Sequence, residues 1–291
     1  MKKIINLAVI QHPCKEDKAD NIEKSIYHIK SARASGADIV LLPELHCTRY
    51  FCVTENAKNF NLAETIPGPT TDILAKIAEK EKIIIIASVF EKHPAGVYHN
   101  TAVVFEKDGN IAGIYRKTHI PDDPGYHEKF YFTPGNNELR PIKTSVGSLG
   151  VMVCWDQWFP EAARLMALAG ADILIYPSAI GWDKNDDVGE QQRQREAWQL
   201  VQRAHAVANC LPVMTSNRVG LEPDPSGNTD GNMFWGSSFI AGPQGELLAL
   251  ADEEESVICA KINLQRNSDL RKVWTFFRGR RTDIYQNLSK K

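Results

Sequence analysis

Residues 149–181 read LGVMVCWDQWFPEAARLMALAGADILIYPSAIG. Leu149 to Val153 is an apolar run of the kind that forms a buried strand. It stops at Cys154, and Trp155 to Pro160 is too bulky and too polar to continue it. Glu161 to Ala169 then takes helical spacing, with Ala162, Leu165, Met166 and Ala169 on one face. Pro160 suits a first helical turn, and Glu161 there complements the helix dipole. Gly170 ends the helix, and Ile173 to Tyr176 is a second apolar run closed by Pro177. A single cysteine thus stands where a strand ends and a helix is about to begin. Free backbone N–H groups and a positive helix end favour thiolate there and can also hold an oxyanion. Taken alone, the same residue reads as a buried core cysteine.

Working outward, the unit has a counterpart in the first half. A helix precedes Gly170-Ala171-Asp172, and another, Asn21 to Ser35, precedes Gly36-Ala37-Asp38. Each Gly-Ala-Asp leads into a short apolar strand and a proline, IVLLP in one half and ILIYP in the other. A second helix follows in each half, Thr70 to Lys82 and Gln191 to Ala208. Then comes a buried strand, Ile83 to Val89 and Leu211 to Ser216, and a hairpin at Asp108-Gly109 and at Gly242 to Gly245. Five elements in the same order argue for two similar α/β halves sharing one core. The expected fold class is α/β, with two sheets packed together and helices outside. Residues 118–141 and 181–195 escape the pattern and are expected to be loops rimming a pocket. The aromatic and arginine-rich tail from Trp274 to Tyr285 suits either a subunit interface or an extension folded onto its own chain.

Bulk properties exclude several classes. The chain has 291 residues, 43% hydrophobic and 24% charged, with net charge -2. That balance gives no footprint for nucleic acid or an anionic membrane. The N-terminal MKKIINLAVIQHP is too short an apolar run for a signal segment, and no stretch has transmembrane length. Six scattered cysteines, with no second pair beside Cys47 and Cys52, form neither a disulfide framework nor a zinc site. The expected compartment is reducing and cytoplasmic.

Three residues follow apolar runs: Glu44 after LLP, Lys117 after IAGIYR, Cys154 after VMV. Strand ends on one side of an α/β sheet share a crevice. Together these residues make a hydrolytic set. Glu44 can take the thiol proton and later activate water, Cys154 can attack a carbonyl carbon, and Lys117 can stabilise the oxyanion. Singly, Glu44 reads as a cap and Lys117 as a surface lysine. No papain-like flanking signature, zinc-protease helix or phosphate-binding glycine loop is present.

At LLPELHCTRYF, YRKTHIPDDPGYHEKFYFTPG and VMVCWDQWFPEAARLMALAGADILIYPSAIG the sequence resembles the nitrilase superfamily of carbon–nitrogen hydrolases, over nearly its whole length. The resemblance implies a four-layer α-β-β-α sandwich with pseudo-twofold halves. It implies one domain over 1–291, with a C-terminal extension from about 265. It implies a Glu44-Lys117-Cys154 triad, with Glu128 as a further glutamate beside the lysine. IPDDPGYHEKFYF, CWDQWFPEAAR, YPSAIG, SNRVG and WTFFRGRR are similar to the branch that cleaves N-carbamoylputrescine to putrescine, carbon dioxide and ammonia, in putrescine and polyamine biosynthesis. No metal or other cofactor is expected, and homo-oligomers, dimers or larger, are. That substrate joins a ureido group to an ammonium through a butyl chain. Asp122 or Asp123, with preference for Asp122, is the expected partner of the ammonium. Tyr126, Trp155 and Trp158 would wall the chain, one tryptophan being core, and Ser178 would complete the substrate set. Alternatives are an amidase on another N-carbamoyl amine, a carbamoyl amino acid or an ω-amide, with Arg195 available to an acidic substrate. From another class, the alternative is an inactive binding or assembly protein on the same fold.

Overall fold

In each Gly-Ala-Asp segment a left-handed glycine ends a helix, with φ +86° at Gly36 and +97° at Gly170. The aspartate after it staples two strands. Asp38 accepts from the backbone N–H of Asn6 at 3.0 Å and Asp172 from that of Ser148 at 2.8 Å. Their own N–H groups donate back to the Asn6 and Ser148 carbonyls at 2.8 and 2.7 Å. The repeated tripeptide therefore sets parallel register in both halves by the same bonds.

The computed structural model describes residues 4–136, 138–183 and 185–289. Asn137 and Lys184, in the two expected loops, lie outside the described residues, as do 1–3 and 290–291. The first half runs β1 (Ile4–Gln11), α1 (Lys18–Ala34), β2 (Ile39–Leu41), α2 (Pro69–Glu81), β3 (Ile84–His93), β4 (Val97–Phe105), β5 (Ile111–Arg116) and α3 (Glu128–Tyr131). The second runs β6 (Ile142–Lys143), β7 (Ser148–Val151), α4 (Pro160–Leu168), β8 (Ile173–Pro177), β9 (Gly181–Trp182), α5 (Val188–Asn209) and β10 (Val213–Ser216). It continues through β11 (Val219–Glu222), β12 (Asn232–Trp235), β13 (Phe239–Ala241), β14 (Leu247–Leu250), β15 (Ser256–Asn263) and α6 (Gln265–Val273).

One six-stranded sheet has the order β15-β1-β2-β3-β4-β5, and the other β14-β13-β10-β8-β7-β6. In the first, β1, β2 and β3 are parallel and β4 and β5 follow antiparallel. In the second, β7, β8 and β10 are parallel and β13 and β14 antiparallel. The two sheets are the same strand order used twice. A small sheet, β11-β12-β9, stands apart.

Alternation along the strands builds the layers. Leu7, Val9, Ile39, Leu41, Ile84 and Ile86 join Leu149, Val151, Ile173, Ile175 and Met214 of the second sheet in one core. Ala8, Ile10, Val40, Ile83 and Ile85 face the other way, onto Ile29 and Ala32 of α1 and Leu74 and Ala78 of α2. On the far side α4 contributes Ala162, Ala163, Met166 and Ala167, and α5 contributes Trp198 and Ala206. The result is the expected α-β-β-α sandwich.

Three expectations change. The buried stripe of α4 includes Ala163 and Ala167, whereas Leu165 is 48% exposed and Ala169 is exposed too. Small residues bring the helix close to the sheet and leave its leucines outside. The 181–195 stretch is largely not loop: α5 starts at Val188 because Asp187 caps it, accepting from the Glu190 N–H at 2.9 Å. The 118–141 stretch holds the short helix α3. In the tail, Phe277 packs on the core of its own chain, between the guanidinium groups of Arg164 and Arg271 at 4.7 and 4.6 Å from its ring centre.

Leu7 has no exposed surface and faces the second sheet. Leu7→Ala is expected to cost about 2–5 kcal/mol, read as a lower urea midpoint at unchanged slope.

Candidate active site

Four side chains meet at strand ends. Glu44 lies just beyond β2, before a turn in which Leu45 takes φ +50°. Its Oε1 accepts from Asn100 Nδ2 at 2.6 Å and from Lys117 Nζ at 2.9 Å. Asn100 is held in turn: the Leu45 N–H donates to Ser88 Oγ, which donates to Asn100 Oδ1, both at 3.0 Å. Glu44 Oε2 is buried and has no hydrogen-bond partner among the described residues. A buried carboxylate oxygen left open is unusual in a structural role and apt for taking a proton.

Lys117 continues β5, its N–H bonded to the Asn100 carbonyl at 2.8 Å. Its Nζ donates to Glu44 and, at 2.6 Å, to Glu128 Oε2. An ammonium has three donors, so one remains for a third partner. Glu128 opens α3, and its Oε1 accepts from the Tyr50 hydroxyl at 2.8 Å. Glu44, Lys117 and Glu128 are all fully buried.

Cys154 lies three residues past the end of β7 and starts a 3₁₀ turn, Cys154–Trp158. Its φ of +43° is a left-handed conformation that costs a non-glycine residue energy and recurs where a side chain must be presented. Asp156 braces the turn. It accepts from the Val153 N–H (2.9 Å), the Tyr115 hydroxyl (2.9 Å) and the His119 N–H (2.9 Å), and its Oδ1 pairs with His119 Nδ1 at 2.7 Å.

Burial alone would depress the Lys117 ammonium. Glu128 and Glu44 outweigh it and hold the group well above its usual value, so it stays charged. Burial pushes Glu128 up to about 7, against the pull of Lys117. Burial, reinforced by the charge of Glu44, also pushes the Cys154 thiol well above its ordinary value. The resting form is therefore the thiol, contrary to the sequence expectation of a favoured thiolate. A five-residue 3₁₀ turn offers a weak dipole, while the sulfur is buried and feels the charge of Glu44 more strongly than that of Lys117. The proton must leave as the sulfur attacks, and a base beside it is then required.

The other expected residues fall in different places. Tyr126 packs beside Tyr50: its hydroxyl accepts from the Gly181 N–H at 2.9 Å and its ring lies 5.6 Å from Tyr50. Trp155 and Trp158 meet edge to face at 6.3 Å, and Trp158 packs on the core. Asp122 and Asp123 are exposed on the loop before Tyr126. Ser178 is fully buried. Its Oγ donates to Gln157 at 3.3 Å and its carbonyl accepts from the Glu44 N–H at 3.3 Å, so it supports the site from behind. Arg195 pairs with Glu253 and stacks on Trp182 at 5.1 Å. Asn100 and Tyr50 escape sequence reasoning because they lie on other segments than the side chains they hold, and Asp156, although only two residues past Cys154, carries no mark in sequence of its bonds to Tyr115 and His119. Among the described residues no cluster of three or more His, Cys, Asp or Glu is arranged to hold a metal ion.

Lys117→Met would leave two buried carboxylates without a cation. It is expected to destabilise the fold by about 3–5 kcal/mol, checked by urea unfolding beside wild type.

Comparison with known proteins agrees with this architecture. Residues 6–272 match the carbon–nitrogen hydrolase family. The chain is 39% identical to an N-carbamoylputrescine amidase from Solanum lycopersicum, covering 98% of this chain and 95% of the relative. It is also 39% identical to a citrullinase from Francisella tularensis, covering 99% of each. A crystal structure of a carbon–nitrogen hydrolase from Helicobacter pylori superposes with TM-score 0.96 at 50% identity, covering 99% of both chains. With its two-sheet core and its buried glutamate-lysine pair beside a strained cysteine, the chain belongs to the carbon–nitrogen hydrolase family.

Proposed function

We propose that the protein hydrolyses N-carbamoylputrescine to putrescine, carbon dioxide and ammonia, with Cys154 as nucleophile, Glu44 as base, Lys117 as oxyanion partner and Glu128 as the residue that holds Lys117. The observation that carries this reading is the open Oε2 of Glu44 beside a lysine already bound to both carboxylates. Cys154 Sγ attacks the ureido carbon as its proton passes to Glu44. The new oxyanion takes the third Lys117 donor and the backbone N–H after Cys154. Collapse expels one nitrogen carrying the proton from Glu44 and leaves an acyl group on sulfur. Water, giving a proton to Glu44, cleaves that bond and restores the thiol. The carbamic acid released in the course of the two steps loses carbon dioxide.

The named relatives support a ureido substrate, and the two names divide on its far end. N-carbamoylputrescine ends in an ammonium alone, whereas citrulline adds a carboxylate. Support for the diamine comes from the acids at the Tyr126 loop and from an Arg195 already engaged by Glu253. In this reading Asp122 meets the ammonium, while Tyr126, Trp155 and Trp158 wall the butyl chain and Ser178 stands behind them. The same proposal takes the chain as one hydrolase domain with a C-terminal extension from about 265, working in the cytoplasm without metal or other cofactor. All six cysteines are free, and among the described residues no helix is long and apolar enough to cross a membrane. It also takes the protein as a homo-oligomer, supported by exposed Leu165, Leu168, Leu200 and Phe276 on the outer helical layer and tail.

Ammonia release from N-carbamoylputrescine, citrulline and N-carbamoyl-β-alanine tests the substrate. The first is expected to be preferred and Cys154→Ala to abolish turnover; preference for either amino acid would overturn the diamine assignment. Asp122→Asn is expected to raise KM for N-carbamoylputrescine about tenfold at similar kcat. Protonating Glu128 removes a negative partner of Lys117. Hence kcat/KM is expected to fall as pH drops through about 7, the value to which burial raises Glu128, and not near 4.5.

A further inference from the structure

Arg218 is a cation with no exposed surface, far along the chain from the four residues described. Its Nε donates to the Glu44 carbonyl at 3.0 Å and one terminal nitrogen donates to the Leu45 carbonyl at 2.7 Å. These two carbonyls flank Leu45, the residue with φ +50°. The other terminal nitrogen reaches both oxygens of Glu222, at 2.8 and 2.9 Å. Glu222 is also fully engaged elsewhere: it accepts from the Tyr50 N–H at 2.7 Å and from the Cys14 N–H at 3.4 Å. The guanidinium lies 5.7 Å from the ring centres of both Tyr50 and Phe234.

Followed in order, these bonds return to their start. Glu44 is bonded through its side chain to Lys117, and Lys117 to Glu128. Glu128 accepts from the Tyr50 hydroxyl, and the Tyr50 N–H donates to Glu222. Glu222 holds Arg218, which grips the Glu44 carbonyl. We propose that Arg218 and Glu222 are positioning residues, which with Tyr50 close a ring of hydrogen bonds that fixes the separation of Glu44 and Glu128 around Lys117. This rests on the reading above that those two carboxylates serve the reaction.

The physics favours a geometric role over a purely stabilising one. A buried ion pair is often matched in stability by apolar residues of similar volume, so desolvation leaves little net gain. What apolar residues cannot supply is a planar fork on two successive carbonyls of a left-handed turn. That fork decides where the Glu44 backbone sits, and Tyr50 carries the same constraint across to Glu128. A closed ring has one further property. Its first break releases the constraint, and a second break releases little more.

The test is a double-mutant cycle on kcat and KM for N-carbamoylputrescine, using Tyr50→Phe, Glu222→Gln and the pair, with melting temperature followed alongside. Each single variant is expected to lower kcat between about tenfold and a hundredfold with KM within about twofold, since small misplacement of reacting groups costs this much. The double variant is expected to fall less than about threefold below the worse single one, the coupling a shared constraint gives. Losses that multiply, or a raised KM at unchanged kcat, would overturn the ring. If Glu222→Gln does not fold, Tyr50→Phe alone decides, and an unchanged kcat would sink the proposal. If wild type does not hydrolyse the diamine ureide, the substrate reading fails. The ring is then read from carbamidomethylation of Cys154 by iodoacetamide, which the same variants are expected to slow in the same non-multiplying pattern. Alkylation at the wild-type rate in every variant would overturn it.

Discussion

The site depends on one ammonium held away from water. Lys117 is buried at the meeting point of the strand ends, where an unpaired charge would be prohibitive, and two carboxylates make it tolerable. Neither carboxylate can be spared, and neither is idle, because each is held by a further donor, Asn100 on one side and Tyr50 on the other. Burial of the sulfur, reinforced by the charge of Glu44, keeps Cys154 protonated at rest. In the proposed reaction the nucleophile is thereby stored as the thiol until its proton passes to Glu44.

The fold was largely legible because its signals are local. Gly-Ala-Asp occurs twice with a helix before it and an apolar strand after it, and the structure shows both aspartates making the same staple. Glu44, Lys117 and Cys154 could be picked out because each follows an apolar run and breaks it with a reactive group. Asn100, Tyr50, Arg218 and Glu222 could not. They reach the site from β4, from a coil segment and from around β11, at sequence separations that only the tertiary fold closes. The α4 stripe was misread for a simpler reason. Periodicity ranks residues by hydrophobicity, whereas contact with the sheet there selects for smallness, and alanines win over Leu165. The state of the cysteine differs from the local expectation because dipoles are visible in sequence, whereas the burial of the sulfur and the distant glutamates that reinforce it are not.

The two halves have the same strand order but not the same duties. The first supplies Glu44 from the end of β2, Asn100 from β4, Lys117 from the end of β5 and Glu128 from α3. The second supplies the cysteine, from beyond the end of β7, the counterpart of β1. All three members of the ion cluster come from one half, while the thiol and the Arg218 that grips the Glu44 carbonyl come from the other. Asp156 joins the two, since it braces the cysteine turn and is itself held by Tyr115 and His119 of the first half.

This division has a consequence for the chain during synthesis. The N-terminal half emerges first and carries Glu44, Lys117 and Glu128 without Cys154. The C-terminal half brings the thiol, and only docking of the two sheets puts it beside them. In the proposed reaction, chemical competence is therefore conditional on that long-range contact. Reactivity is in this sense a certificate of completed folding, issued only when both layers are in place.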